Sequence, residues 1–133
     1  MKTAFELAEE PAQYLVPIIR KGLPASSFDQ LARALGITKG VLAEKLRIAK
    51  RTLARKESGH LALSADESEK VMRVARIRNL ATSVFVSDEG ISQWLMKPDA
   101  ALSNRPPLDF LDTELGAREV EDLIQSIAHG QFV

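Results

Sequence analysis

Apolar residues recur along this chain at the spacing of amphipathic helices. In the segment 28–35 the positions follow i, i+3, i+4, i+7, and they are occupied by Phe28, Leu31, Ala32 and Leu35. Similar stripes occur within 42–48, 77–85 and 120–128. Aromatic residues are few, and no long run of β-branched residues alternates with polar ones as a half-buried strand would. We therefore predict an all-α fold of about six to eight helices.

Capping residues place the boundaries of the first stripe. Ser26 and Ser27 precede it as N-cap candidates, and Gly36 follows it as a candidate C-cap. The chain before this helix is harder to assign, because Pro11 and Pro17 each restrict where a helix can run. No helix is therefore assigned to the first 16 residues.

The middle of the chain is predicted to hold one long helix and one short helix. Ser64 and Glu67 form a capping box, in which each side chain accepts a hydrogen bond from the other residue's backbone amide. The helix that begins there is predicted to run over about 66–86. A shorter helix is predicted over 88–96, because Pro98 prevents its continuation.

The last helix has the clearest pattern of the chain. Thr113 is its candidate N-cap and Gly130 its candidate stop. Its apolar stripe consists of Val120, Leu123, Ile124, Ile127 and Ala128. Before it, Pro107 can begin a short helix through Phe110, because proline is tolerated in a first helical turn. Trp94 lies at helical spacing and is assigned to the core.

Composition narrows the chemistry that this 133-residue chain can perform. It has no cysteine, which excludes thiolate metal sites and cysteine catalysis, and its two histidines are His60 and His129. No nucleophile–histidine–acid set or glycine-rich phosphate loop is present, so we expect neither catalysis nor a cofactor. No apolar run is long enough to span a membrane, and acids appear too early for a signal peptide. We therefore expect a cytoplasmic protein that does not contact membranes.

The net charge of zero conceals an asymmetry between two halves. Residues 1–63 hold 11 basic and 6 acidic side chains, a net charge of +5, whereas residues 64–133 hold 7 and 12, a net charge of −5. The basic residues are densest in 39–56, with seven cations and one acid. This division indicates two different partners, one of them anionic.

The basic segment has the pattern of a helix-turn-helix. Residues 41–46 supply the first helix, 47–49 the turn with Ile48 as its buried residue, and 50–57 the second helix. An inward Leu53 leaves most of the polar residues of the second helix facing outward. The predicted DNA-binding residues are Lys39, Lys50, Arg51, Thr52, Arg55 and Lys56. We expect Arg51 and Arg55 to read bases, and Lys50 and Lys56 to hold the phosphate backbone.

A second register of the helix-turn-helix is open. Residues 31–37 contain Gly36, a better turn residue than Arg47, and this register would make 39–46 the helix that reads DNA. That helix carries fewer cations and presents Glu44. Charge density therefore favours the later register.

Two sets of motifs resemble a known family. The first runs from Gly36-Ile37-Thr38 through Leu46-Arg47-Ile48-Ala49-Lys50-Arg51-Thr52-Leu53 to Arg55-Lys56, and it resembles the N-terminal domain of Xre-type antitoxins. The second is the ordered series Trp94-Leu95, Pro107-Leu108, Leu111-Asp112-Thr113, Gly116 and His129-Gly130, which resembles the toxin-binding domain shared by Xre, MbcA and ParS antitoxins. Together the two sets span about 24–130.

The resemblance implies a type II toxin–antitoxin module. The partner would be a cognate RES-domain toxin that degrades NAD⁺ or transfers its ADP-ribose. The antitoxin would occlude the toxin's active site and bind operator DNA to repress its own operon. The domains would be an N-terminal segment of open role (1–23), an Xre/Cro-like helix-turn-helix domain (24–63) and a small helical toxin-binding domain (64–133).

The predicted toxin-binding residues lie in and after the last helix, namely Glu119, Asp122, Ser126, His129, Gly130, Gln131, Phe132 and Val133. Acidic side chains off the apolar stripe, Glu121 among them, suit a toxin site that must attract the anionic pyrophosphate of NAD⁺. For the tail after His129, insertion into the toxin and fraying are both open.

A stand-alone repressor is the alternative function. It would be a homodimeric helix-turn-helix protein without a toxin partner. A homodimer is expected in either case, because one helix-turn-helix buries too little surface for tight specific binding to DNA. The dimer surface is expected in the 64–86 helix or in the C-terminal half.

Overall fold

The computed structural model describes residues 2–130, and its regular structure is helical. The eight α-helices are α1 (Ala4–Leu7), α2 (Ala12–Lys21), α3 (Ser26–Leu35), α4 (Lys39–Leu46), α5 (Lys50–Ser58), α6 (Ala65–Ala81), α7 (Asp88–Met96) and α8 (Glu114–Ala128). Two 3-10 helices cover Ala100–Leu102 and Pro107–Phe110. Within the described range the β structure is limited to two isolated bridges, so the predicted all-α class is confirmed.

The third helix follows the predicted stripe, but its cap differs. Phe28, Leu31 and Leu35 are fully buried, and Gly36 ends the helix in the left-handed conformation with φ +70°. The N-cap is Ala25 rather than Ser26 or Ser27, which both lie inside the helix. A hydroxyl near a helix start is therefore not sufficient to define the first helical residue. Here the Pro24 carbonyl oxygen accepts a bond from the Ser27 amide at 2.9 Å, so the chain turns before the two serines.

The N-terminal region is helical in spite of its prolines. Pro11 is the N-cap of α2, and Pro17 lies inside that helix. The missing amide hydrogen of Pro17 costs one helical bond. Packing of α2 against α6 offsets this loss, since Leu15, Ile18 and Ile19 contact the core.

The long helix α6 forms the centre of the molecule. The predicted capping box is present, since Ser64 Oγ accepts a bond from the Glu67 amide at 3.1 Å and Glu67 Oε1 accepts one from the Ser64 amide at 2.7 Å. Helix α6 packs against α1, α2, α3 and α8. Its buried residues are Ser68, Val71, Met72, Arg73, Val74, Ala75, Ile77 and Ala81.

Helix α6 ends earlier than the sequence predicts. Its last residue is Ala81, whereas the sequence predicts a helix as far as about residue 86. The hydroxyls of Thr82 and Ser83 donate to the carbonyl oxygens of Asn79 and Leu80, at 2.6 and 2.8 Å. These local bonds take up the last helical carbonyls. Beyond the helix, Phe85 packs against Trp94 with 5.2 Å between ring centroids. Trp94 packs against the core as a partly buried residue and is not one of its fully buried members.

Helix α8 packs closely on the second 3-10 helix. Thr113 Oγ1 accepts a bond from the Gly116 amide at 3.0 Å, which confirms the predicted N-cap. A Cβ atom on Gly116 would lie 2.0 Å from the carbonyl oxygen of Phe110, so only glycine permits this approach. Ala117, Val120 and Ile124 are buried beneath the helix.

A single hydrophobic cluster connects all these elements. Its buried members extend from Ala4 to Ile124, and α3 contacts α7 while α4 contacts the second 3-10 helix. None of the helices described is both long enough and apolar enough to cross a membrane.

Candidate functional site

Helices α4 and α5 form a helix-turn-helix in the predicted register. Arg47 ends α4 in the left-handed conformation, with φ +56°, and Ile48 is buried in the turn as expected. Leu53 faces inward from α5. The apolar residues thus hold the second helix with its polar side chains toward solvent.

Three cations on the outer face of α5 have no acidic partner in the described part of the chain. Lys50, Arg51 and Arg55 are exposed, and no carboxylate oxygen of residues 2–130 lies within 4.0 Å of their charged groups. Lys50 lies over the first turn of α4, because a Cβ atom on Gly40 would be 3.7 Å from its Cε atom. Unpaired guanidinium and ammonium groups are available to an external anion without loss of an internal bond.

Two of the predicted DNA-binding lysines are held by carboxylates of the protein itself. Lys56 Nζ lies 2.5 Å from Glu67 Oε1, and only 13% of the Lys56 side chain is exposed. Lys39 Nζ lies 2.8 Å from Glu57 Oε2, and this hydrogen bond raises the pKa of Lys39. The geometry of Lys56 differs from the prediction, because its ammonium joins α5 to α6 rather than pointing outward. Thr52, the remaining candidate, is half-buried.

The alternative register offers fewer free charges. Lys45 forms an ion pair with Asp109, and the end of α4 packs against the second 3-10 helix. Both lysines of α4, Lys39 and Lys45, are therefore ion-paired. The geometry favours α5 as the helix that faces DNA.

Acidic residues of the C-terminal half hold the helix-turn-helix in place. Asp112 Oδ2 accepts a bond from Arg47 Nε at 3.1 Å, and Asp109 pairs with Lys45. Asp112 belongs to the Leu111-Asp112-Thr113 motif before α8, but its partner Arg47 lies 65 residues away along the chain. No local pattern could have indicated this contact.

Two arginines of α6 organise the start of α8. Arg73 is 8% exposed, and it donates to the Leu111 carbonyl oxygen at 3.2 Å and to Glu114 at 3.3 Å. Arg76 pairs with Glu114 at 2.9 Å and with Glu121 at 3.0 Å. Burial acts to raise the pKa of Glu114, but Arg76 and Arg73 outweigh it and hold that pKa below its usual value. Glu121 therefore faces α6, unlike the free acid that its position off the stripe suggested.

The other predicted toxin-binding residues share the outer face of α8. Glu119, Asp122, Ser126 and His129 recur at intervals of three and four residues, on the side opposite Ala117, Val120 and Ile124. Glu119, Asp122 and His129 are exposed, and Ser126 is half-buried. No ion pair joins Asp122 to Arg118 among the described residues.

The end of α8 is described as far as Gly130. His129 Nδ1 lies 2.9 Å from the Gln125 carbonyl oxygen, and Gly130 has φ +68°. Gln131, Phe132 and Val133 lie outside the described residues. In the range 2–130 no three His, Cys, Asp or Glu side chains are arranged to hold a metal ion.

Comparisons with known proteins match both halves of the chain. Residues 15–76 match the family described as the antitoxin Xre-like helix-turn-helix domain. Residues 80–130 match the antitoxin Xre/MbcA/ParS C-terminal toxin-binding domain. These matches agree with the resemblance inferred from the motifs.

Relatives that match over most of the chain are also antitoxins by name. The chain is 33% identical to Antitoxin Xre of Photorhabdus laumondii over 88% of its length and 80% of that protein. It is 32% identical to Antitoxin Xre of Yersinia enterocolitica, over 89% and 80% respectively. A Prs ADP-ribosylating antitoxin of Sphingobium is 29% identical over 88% of this chain and 79% of that protein.

The fold is also that of a chain in the crystal structure of the MbcT-MbcA toxin–antitoxin complex of M. tuberculosis. The TM-score is 0.61 at 22% identity, over 82% of this chain and 96% of that one. Sequence, domain order and fold agree, and this chain belongs to the Xre family of antitoxins, with a helix-turn-helix domain followed by a toxin-binding domain.

Proposed function

We propose that this chain neutralises a cognate RES-domain toxin and represses its own toxin–antitoxin operon. One observation carries the proposal: among residues 2–130, Lys50, Arg51 and Arg55 on α5 have no acidic partner, and Glu119 and Asp122 on the outer face of α8 have no basic partner. These two surfaces suit two different partners, a nucleic acid and a protein with a basic site.

Operator DNA is the proposed partner of α5. Arg51 and Arg55 are placed one helical turn apart, so both can face a major groove and make bidentate bonds to guanine. Lys50 and Lys39 flank the first turn of α4, where backbone amides also favour phosphate. We assign base reading to Arg51 and Arg55 and phosphate contact to Lys50, whereas Lys39 contacts phosphate only if its ammonium leaves Glu57. Thr52 remains a candidate at the edge of this surface, and Lys56 acts through its bond to Glu67.

The toxin is the proposed partner of α8. A site that binds NAD⁺ has to attract an anionic pyrophosphate, so it carries basic groups. Glu119 and Asp122 present carboxylates that can meet such groups, and Ser126, His129 and Gly130 continue the same end of the helix. We propose that this face, with Gln131, Phe132 and Val133 beyond it, occludes the toxin's site. The assignment to RES-type toxins, whether NAD-degrading or ADP-ribosylating, rests on the family resemblance.

The division of labour runs along the chain. We propose 24–63 as the DNA-binding part and 64–133 as the toxin-binding part, with α1 and α2 packed on α6 as support. A homodimer in the cytoplasm is proposed, because two half-sites are needed for tight operator binding. A stand-alone homodimeric repressor would use the same α5 surface but would need no toxin.

The test separates the two activities with paired variants. Arg51→Ala with Arg55→Ala should weaken binding to a duplex covering the promoter of this chain's own gene by about a hundredfold or more. The same variant should retain co-purification with the RES-domain protein encoded beside it. Glu119→Ala with Asp122→Ala should keep promoter binding and should weaken toxin binding and rescue of growth.

Each result has a definite consequence. If the wild-type chain co-purifies with no neighbouring gene product, the stand-alone repressor is favoured. If both double variants reduce both activities equally, the two surfaces do not serve separate partners and the proposal is wrong. Circular dichroism of each variant verifies that the helices remain folded.

A further inference from the structure

Leu115 is an exposed apolar residue at one end of the acidic face of α8. Its side chain is 72% exposed. The residue before it, Glu114, is ion-paired to α6. Leu115 lies four residues before Glu119, so it shares a helical face with Glu119 and Asp122. Its position off the buried stripe of α8 is visible in the sequence, and it indicates an exposed leucine.

The first turn of α8 holds Leu115 in a fixed position. Glu114 on one side is bound by Arg73 and Arg76 from α6. Gly116 on the other side donates to Thr113 Oγ1 and packs directly on Phe110. Because this backbone is already ordered, a partner that covers Leu115 restricts only the rotamers of its side chain. A single exposed leucine needs no explanation by itself, whereas a fixed leucine beside unpaired acids has the composition of an interface anchor with a charged rim.

We propose that Leu115 is the apolar anchor of the toxin interface. It would fill an apolar pocket of the toxin beside the basic groups that meet Glu119 and Asp122. This inference rests on the proposed neutralisation of a toxin. A second copy of this chain fits less well, because it would bring two acidic faces together with Arg118 as the one flanking cation.

The test measures the affinity of purified antitoxin variants for the RES-domain protein encoded beside this gene. Leu115→Ala should raise the dissociation constant about tenfold or more, as truncation of an interface anchor does. Leu115→Met should retain most of the affinity because it restores apolar contact. The matched control is Val86→Ala, which shortens a fully exposed apolar residue in the loop before α7 and should leave affinity within about twofold.

Three other outcomes overturn the inference or its basis. Unchanged affinity of Leu115→Ala, with normal binding by the wild type, would refute the anchor and leave the proposed function intact. Absence of binding by the wild type would instead refute the proposed function. If Leu115→Ala changes the mass of the toxin-free antitoxin in light scattering, the leucine packs on a second copy and the inference is wrong. The thermal midpoint should not change, because Leu115 contributes little buried area.

Discussion

Helix α5 and the start of helix α8 use their charged side chains in opposite ways. On α5, three cations face solvent without an acidic partner among the described residues. Near the start of α8, Asp109, Asp112, Glu114 and Glu121 are ion-paired, whereas Glu119 and Asp122 on the outer face of α8 have no basic partner among residues 2–130. The basic surface is thus reserved for an external anion, whereas much of the acidic charge is used inside the molecule.

The opposite net charges of the two halves also serve contacts between those halves. In the described part of the chain, three ion pairs cross the boundary between 63 and 64: Lys45–Asp109, Arg47–Asp112 and Lys56–Glu67. Opposite net charges therefore attach the halves to each other as well as suiting different partners. Net charge alone does not show whether a side chain pairs with the other half or stays available to an external partner. The contacts of each side chain show which of the two applies.

The largest expected effect comes from the inward-facing contacts of α6. Arg73→Ala leaves the Leu111 carbonyl oxygen without its partner and removes a buried contact to Glu114, so it should lower the free energy of unfolding by about 3 kcal/mol. Urea denaturation followed by circular dichroism measures this loss. Arg118→Ala is the control, because Arg118 is exposed and should cost no more than about 0.5 kcal/mol. Equal stabilities of the two variants would contradict the internal role of this arginine.

Lys50 and Lys56 test whether free and paired cations on one helix have different functions. Lys50→Ala should weaken promoter binding several-fold and reduce the slope of log K against log salt by about 1, because one phosphate contact is lost. Its stability should stay within about 0.5 kcal/mol. Lys56→Ala should instead cost about 1–2 kcal/mol of unfolding free energy and leave the salt slope unchanged, because its ammonium bonds Glu67. Fluorescence anisotropy across a salt series measures both slopes, and a reduced slope for Lys56→Ala would show that it contacts DNA.

Arg47 tests the turn between the two helices. Its left-handed backbone costs about 1 kcal/mol or more for a side chain with a Cβ atom, while its exposed ion pair to Asp112 is worth less than about 1 kcal/mol. Arg47→Gly should therefore raise the free energy of unfolding by roughly 0.5 kcal/mol. Thermal denaturation should show this as a slightly higher midpoint. Gly36→Ala is the converse control, since it has open space for a methyl group and only its φ of +70° opposes the change. Lower stability of Arg47→Gly would mean that the ion pair outweighs the strain.

The smallest effect concerns acid stability. The pKa of Glu114 is lowered in the folded chain below the value of 4.5 for the free side chain. Its contribution to stability is therefore fully present above about pH 4.5 and is lost as the pH falls through the lowered pKa. Glu114→Gln should flatten the decline of the thermal midpoint between about pH 5 and pH 3. Parallel curves for the variant and the wild type would exclude this linkage.

Local patterns predicted most helices, and tertiary contacts explain the exceptions. The helices over 50–57, 88–96 and from 114 were predicted to within about a residue, because their caps and stripes are short-range signals. The predicted end of α6 was wrong, because Val84 and Phe85 keep the apolar stripe in contact with the core after the helix has ended at Ala81. Helix α2 was not predicted, because Pro11 and Pro17 argue against a helix in this segment. It forms because packing on α6 compensates for Pro17.

The candidate surfaces were predictable only in part. The burial of Leu53 is predictable from its place as the apolar residue of the second helix. An inward Leu53 leaves Arg51 and Arg55 on the outer side of that helix. The capture of Lys56 by Glu67 does not follow in the same way, because the direction of a flexible side chain depends on a different helix. The contacts of Arg73 with Leu111 and Glu114 link residues about 40 positions apart, beyond any local periodicity.

By itself, the sequence determined the all-α class, the helix-turn-helix, the family and the opposite charges of the two halves. These properties depend on residue types at short spacing, where backbone geometry dictates which side chains share a face. Only the tertiary structure decided which charges remain free for a partner. Ion pairing depends on distances of a few ångströms between side chains from different helices, and those distances exist only after the core has brought the helices together.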